Sequence, residues 1–213
     1  MAEELARVEK PAVESFKEGR RLFFVPLIFK GPEPEPEYQE KYHRYWQQVN
    51  DQLNDLEIKL GKAARIFCEL VIGGGEEGLQ MVQELDEQIA ALIKPRLALG
   101  AALEALEDRE ILTEFLDWGR CLNCGLQNEN VWLKCYESYN NAAKKRNETL
   151  AKRLDELLQP GETGILFMRE DYSVQFPADI EVFYVAPPAL DEIKRWLREP
   201  HPHQPPEQEK KEG

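Results

Sequence analysis

The residues of this 213-residue chain most readily read as chemistry are three of its four cysteines, a glycine run and one arginine inside a helical pattern. Cys121-Leu-Asn-Cys124-Gly125 places two thiols at i and i+3, the usual half-site of a tetrahedral zinc centre, and Cys135 follows as a third candidate ligand. No second pair and no nearby histidine completes the set. A redox reading would need the first thiol at a helix start, where the dipole favours a thiolate, whereas Cys121 is expected near a helix end. The plain alternative is inert cysteines filling small gaps. Zinc is thus the one cofactor the sequence suggests, on Cys121, Cys124 and Cys135.

Histidine is scarce. His43 lies in the body of the chain, and His201 and His203 fall in a Pro-rich tail, so a multi-histidine metal centre is excluded and a Ser-His-Asp triad would have to use His43. Gly73-Gly-Gly-Glu-Glu-Gly78 precedes a helix, but it lacks the Lys-Ser/Thr of a phosphate loop and puts Glu76 and Glu77 where an anion would dock. A flexible turn with acidic capping is the simpler reading, and the two glutamates are candidate general-base or hard-metal groups.

The last long helix carries a subtler signal. Its apolar stripe runs Trp132, Cys135/Tyr136, Tyr139, Ala143, then Leu150, Leu154 and Leu157, and the period calls for an apolar residue where the sequence has Arg146-Asn147. An arginine on a buried face must find carboxylate or carbonyl partners, with Glu76, Glu77, Glu107, Asp108, Glu170 and Asp171 as the acids to hand. The favoured expectation is that Lys144, Lys145 and Arg146 form an exposed basic turn. The competing one is a carboxylate and arginine pocket of catalytic type, built from Arg146, Asn147, Glu170 and Asp171 with Glu76 and Glu77.

The elements that would position these groups follow from periodicity. Arg20 to Phe29 is short, aromatic and β-branched, as a buried strand is, with Pro26 implying an edge or bulge. Prolines between Gly31 and Glu37 make a stiff connector. Tyr38, Tyr42, Tyr45, Trp46, Val49, Leu53, Leu56 and Leu60 define one helix face ending at Gly61. Ala63 to Ile72 fits helix or strand, since the run Ile66 to Ile72 satisfies either template. Helices are expected over 76–94, 98–106, 108–121 and 129–158, then strands over 164–168 and 180–185, with Tyr172, Val174 and Phe176 alternating as a third. Pro187-Pro188 opens a final helix. The expected fold class is an α-rich α/β arrangement, with α+β as the alternative. A small sheet would combine the N-terminal strand with two or three C-terminal strands, and four to five long helices would lie between them. Residues 1–20 read as an arm, 21–198 as the folded domain and 199–213 as a disordered tail.

From Arg146-Asn147-Glu148-Thr149-Leu150 through Pro160-Gly161 to Gly164-Ile165-Leu166-Phe167 the chain resembles a segment near the C-terminus of TraB/Tiki-type proteins. In those proteins the strand leads into Gly-Ala-x-His and an earlier strand carries Gly-x-x-His. Here Met168-Arg-Glu-Asp-Tyr172 follows instead, and Val25 to Phe29 holds no histidine, so the residues for metal chemistry are missing and no activity is carried over.

A formal charge of −13 argues against nucleic acid and anionic membrane partners. The longest apolar run, Leu22 to Phe29, is far too short to span a bilayer, and acids at the start of the chain are unlike a signal peptide. A cytoplasmic protein with reduced thiols is the expectation. Its first functional reading is a non-enzymatic interaction or regulatory protein that uses the aromatic face of Tyr38, Tyr42, Tyr45 and Trp46 to bind a protein partner or its own copy. The alternatives are a hydrolase-like enzyme using the carboxylate/arginine pocket, and a structural zinc or thiol site at the cysteines.

Overall fold

A computed structural model describes residues 19–31, 34–171 and 173–198. Their core is a five-stranded sheet in the order β3-β2-β4-β1-β5, parallel throughout. The strands are β1 (Arg20–Pro26), β2 (Arg65–Cys68), β3 (Ala102–Leu103), β4 (Thr163–Met168) and β5 (Ile180–Tyr184). The helices are α1 (Pro36–Leu60), α2 (Gly75–Leu85), α3 (Glu87–Ala98), α4 (Arg109–Asn123), α5 (Glu129–Leu157) and α6 (Pro188–Arg198).

Successive strand residues face opposite layers. Phe23, Val25, Ile66, Cys68, Ile165 and Phe167 pack into a cluster with α1, α3 and α6. Their neighbours Leu22, Phe24, Phe67, Leu166 and Met168 meet Leu150 and Leu154 of α5, with Leu158 just beyond it. Both faces of β1 and β4 are therefore covered, which is why these strands read as unbroken apolar runs rather than alternating ones.

The connections obey one rule of hand. From β1 to β2 and from β2 to β3 the chain moves one way across the sheet, through α1, α2 and α3 on one face. From β3 to β4 and from β4 to β5 it moves the other way, over the opposite face, through α4 and α5 and then through Val174 and Phe176. Opposite directions on opposite faces give every crossover the same hand, as parallel connections require.

The α/β class is as expected, with β1, β4, β5 and α6 near their sequence-predicted places, but several details differ. The helical excursion is interrupted by β2 and β3; of the ambiguous 63–72 segment only Arg65–Cys68 is strand, because it slots beside β4, and the chain turns at 69–70. The helix expected over 76–94 divides at Asp86, which caps α3 by accepting from the Gln88 amide at 2.7 Å. Pro95 does not break α3 but lies inside it, and the helix expected over 98–106 is instead a turn followed by β3. Val174 and Phe176 pack onto the sheet without joining it, while Tyr172 lies outside the described residues. β1 is also not an edge strand: its ladder to β5 ends at Phe24, so Pro26 has no donor to lose on that side. The arm, except for Gly19 and Arg20, and the tail lie outside the described residues.

The first helix carries a further correction. Tyr38, Tyr42, Tyr45 and Trp46 are core residues, none more than 5% exposed. Tyr42 donates to the Asp86 carboxylate, Tyr45 to the Pro26 carbonyl and Tyr38 to the Phe29 carbonyl at 2.8 Å. The aromatic face holds α1 to the sheet and leaves nothing for a partner to grip.

Candidate functional site

In an open parallel sheet, ligands bind beyond the carboxyl ends of the strands, where neighbouring strands send their connections in opposite directions. Here that point lies between β2 and β4, since the chain leaves β2 toward β3 on one face and leaves β4 toward β5 on the other. The first residue beyond β2 is Glu69, and the first beyond β4 is Arg169. Both strand ends are locked together by the Glu69 amide, which donates to the Phe167 carbonyl at 2.9 Å.

Glu69 has no solvent exposure, an uncommon state for a carboxyl group. Arg169 Nε donates to its Oε1 at 2.9 Å. Arg146 Nη2 stands 3.7 Å from Oε2, too far for a hydrogen bond, and Oε2 accepts none. Burial therefore dominates: it pushes the Glu69 carboxyl up to about 7, although Arg169 and Arg146 both pull it down.

Arg146 reaches this point from the middle of α5. It is 1% exposed and pairs closely with Glu107, its Nε lying 3.1 Å from both carboxylate oxygens. Its guanidinium also lies over the Phe115 ring from α4, 4.9 Å from the centroid. The expectation of an exposed basic turn is thus overturned at Arg146, although Lys144 and Lys145 do face solvent. The α5 stripe runs through Ala142, Arg146, Leu150 and Leu154, and the arginine keeps its place on the buried face because Glu107 meets it there.

Glu107 also accepts from the Leu70 amide at 3.1 Å. Leu70 has φ of +66°, the one non-glycine residue in the left-handed region among those described. Holding a leucine there costs about 1–3 kcal/mol, and such strain collects at functional sites. The segment carrying Glu107 is pinned in turn by Arg153, which donates to the Glu107 and Ala105 carbonyls at 2.7 and 3.1 Å. Beneath the cluster lies Cys68, whose thiol burial pushes up, keeping it protonated.

Arg169 is the member that meets solvent, with one third of its side chain exposed. It lines a cleft of about 430 Å³ with Phe115, Tyr139, Arg120, Asn123 and Asp171.

Of the candidates read from the sequence, Arg146 lies in the cluster and Asp171 at the rim of its cleft. Asn147, the next residue on α5, opens on a separate groove of about 660 Å³ with Ser173 and Gln175, its buried Oδ1 without a hydrogen-bond partner. Glu170 turns away to bond Lys194 and Tyr184. Glu76 and Glu77 are exposed in the first turn of α2, and Glu76 faces another groove. Cys121 and Cys124 are exposed and Cys135 is half-buried. No group of three or more His, Cys, Asp or Glu side chains among the described residues is placed to hold a metal ion, so Cys135 does not complete a set with the other two.

The sequence reading missed Glu69 and Arg169. Glu69 did leave a trace: it is the lone charge inside the apolar run Ile66-Phe-Cys-Glu-Leu-Val-Ile72. A carboxylate in the middle of such a run either faces out or is buried for a reason. Arg169 left none, because a basic residue after a strand is ordinary. No family model, curated protein or solved structure matches the chain.

Proposed function

We propose that this chain is a hydrolase-like enzyme acting on an anionic substrate in the crevice over β2 and β4. One observation carries the reading: a fully buried carboxyl, Glu69, is poised near neutrality between two arginines at the switch point of a parallel sheet. Arg169 is the binding group, since its exposed face can take a carboxylate or phosphate from the cleft. An anion that draws Arg169 away from Glu69 leaves that carboxyl accessible at the moment substrate arrives, as the acid or base of the reaction. Arg146, 3.7 Å from Glu69, and Glu107, which pairs with Arg146 and takes the Leu70 amide, are positioning residues: they fix the segment that carries Glu69 and the positive charge beside it.

The test is turnover of p-nitrophenyl phosphate and of the anionic ester mono-p-nitrophenyl succinate, across pH 5 to 9. Turnover should show a limb near pH 7, fall by about 10²–10⁴-fold in Glu69→Gln, and show a raised KM in Arg169→Ala. If neither compound is turned over, and neither inorganic phosphate nor succinate raises the thermal unfolding temperature of the wild-type chain, the reading is wrong.

A further inference from the structure

The α4–α5 hairpin, whose Arg120 and Asn123 line one side of the cleft, presents a second site at its tip. Its turn holds Cys121 in the last turn of α4, Cys124 as the residue closing that helix, and Gly125 at φ of +79°, where the chain reverses. Both cysteines are exposed, and the Cys124 thiol donates to the Cys121 carbonyl at 3.0 Å. From Gln127 to Lys134 every residue is exposed. Among these and the next turn are Val131, Trp132, Leu133 and Tyr136, each 40–49% exposed, with the Trp132 and Tyr136 rings stacked at 5.1 Å. Three consecutive apolar residues cover more than half the circumference of a helix, so packing of α5 against α4 cannot hide them all.

We propose that two copies of this chain join at this hairpin tip around one zinc ion, each supplying Cys121 and Cys124. Thiols at i and i+3 are half of a tetrahedral site, and a structural zinc site is closed by four protein ligands. Within one chain the described residues supply no third ligand, whereas a two-fold axis through the metal doubles the pair. Zinc enters as the divalent ion, the four thiols each release a proton to solvent, and no electron is transferred. Charge favours a second copy at this place. Across a chain of net charge −13, the stretch from Asp117 to Glu137 balances three acids, Asp117, Glu129 and Glu137, against Arg120 and Lys134. Two copies that meet at the thiols bring together stretches of net charge −1 each, and the exposed aromatic and aliphatic side chains beside them gain cover.

The experiment uses the full chain purified under reducing conditions, with light scattering for mass and elemental analysis for metal. The expected result is a dimer holding one zinc per two chains, converted to monomer by chelation. Cobalt in place of zinc should give the sulfur-to-metal charge-transfer band of a tetrathiolate site. Cys121→Ser and Cys124→Ser should each yield a metal-free monomer with unchanged circular dichroism, while Cys135→Ser keeps both metal and dimer. The proposal is overturned by a chain that stays monomeric with added zinc, by one zinc per chain, by a dimer that survives Cys124→Ser, or by loss of metal in Cys135→Ser.

Discussion

Replacing Glu69 by glutamine tests the electrostatics of the crevice without relying on any substrate. Burial moves this carboxyl from its ordinary 4.5 to about 7 in the folded chain. A raised acid binds its proton more tightly when folded than when unfolded, so wild-type stability from this group is fully present below about pH 4.5 and is lost as pH rises to about 7. Each pH unit of that window is worth about 1.4 kcal/mol, so the whole loss is about 3 kcal/mol. Glutamine keeps an oxygen for Arg169 Nε and does not titrate. The Glu69→Gln chain should therefore gain on wild type by about 3 kcal/mol between pH 4.5 and 7.5, with no further gain above. Urea unfolding at half-unit pH steps, followed by tryptophan fluorescence, reads the difference between the two curves, in which all other titrating groups cancel. In thermal unfolding the same change is about 6–12 °C for a chain of this size. Two parallel curves would show that Glu69 does not titrate in this range, and the assignment of acid–base chemistry to it would fall with them.

Four further substitutions follow from the same contacts. Arg146→Met leaves the buried Glu107 carboxylate without its cation and should destabilise by about 3–5 kcal/mol in urea unfolding, whereas Arg146→Met with Glu107→Leu should recover much of that loss. Gly78→Ala would place a Cβ 2.5 Å from the Gly73 carbonyl oxygen, so the turn into α2 must shift; a loss of about 1–3 kcal/mol by thermal unfolding is expected. Tyr42→Phe removes the buried hydroxyl that donates to Asp86 and should cost about 1–3 kcal/mol by the same measure. Arg20 binds Asp155, Asp179 and the carbonyls of Asp155 and Leu158, clamping the end of α5 to β1 and the loop before β5; Arg20→Lys keeps the charge but not the fork, and should lower urea stability by about 1–3 kcal/mol.

How far the sequence disclosed this molecule depended on the range of the interactions concerned. α1, α4 and α5 were legible because a helix writes its buried face at three- and four-residue spacing. β2 and β3 were not, because four-residue and two-residue strands carry almost no period and exist only by pairing with β4 and with each other. The aromatic face of α1 misled for a related reason: periodicity shows that a face is apolar, but not whether the chain itself or another molecule covers it. The second half-site proposed for Cys121 and Cys124 would have the same character, since a partner on another copy leaves no spacing to read.

Arg146 shows where local reasoning gives way to topology. The interruption of the α5 stripe was visible, and Glu107 stood among its candidate partners, yet the choice between an exposed turn and a buried charge needed the third dimension. A buried Arg–Glu pair alone is weak evidence of purpose, because an apolar pair of similar volume often serves stability as well or better. What distinguishes this cluster is the agreement of independent features at one place. A carboxyl without exposure, a leucine in the left-handed region and a part-exposed arginine all fall at the strand ends where the sheet's connections diverge. Core packing needs none of them, and the buried carboxyl and the left-handed leucine each cost stability that a purely structural solution would have kept. The rescue of Arg146→Met by Glu107→Leu, set beside the activity of the same double variant, separates the two roles. Stability that returns together with turnover would make the pair scaffolding, whereas stability that returns without turnover would make it the mount for Glu69.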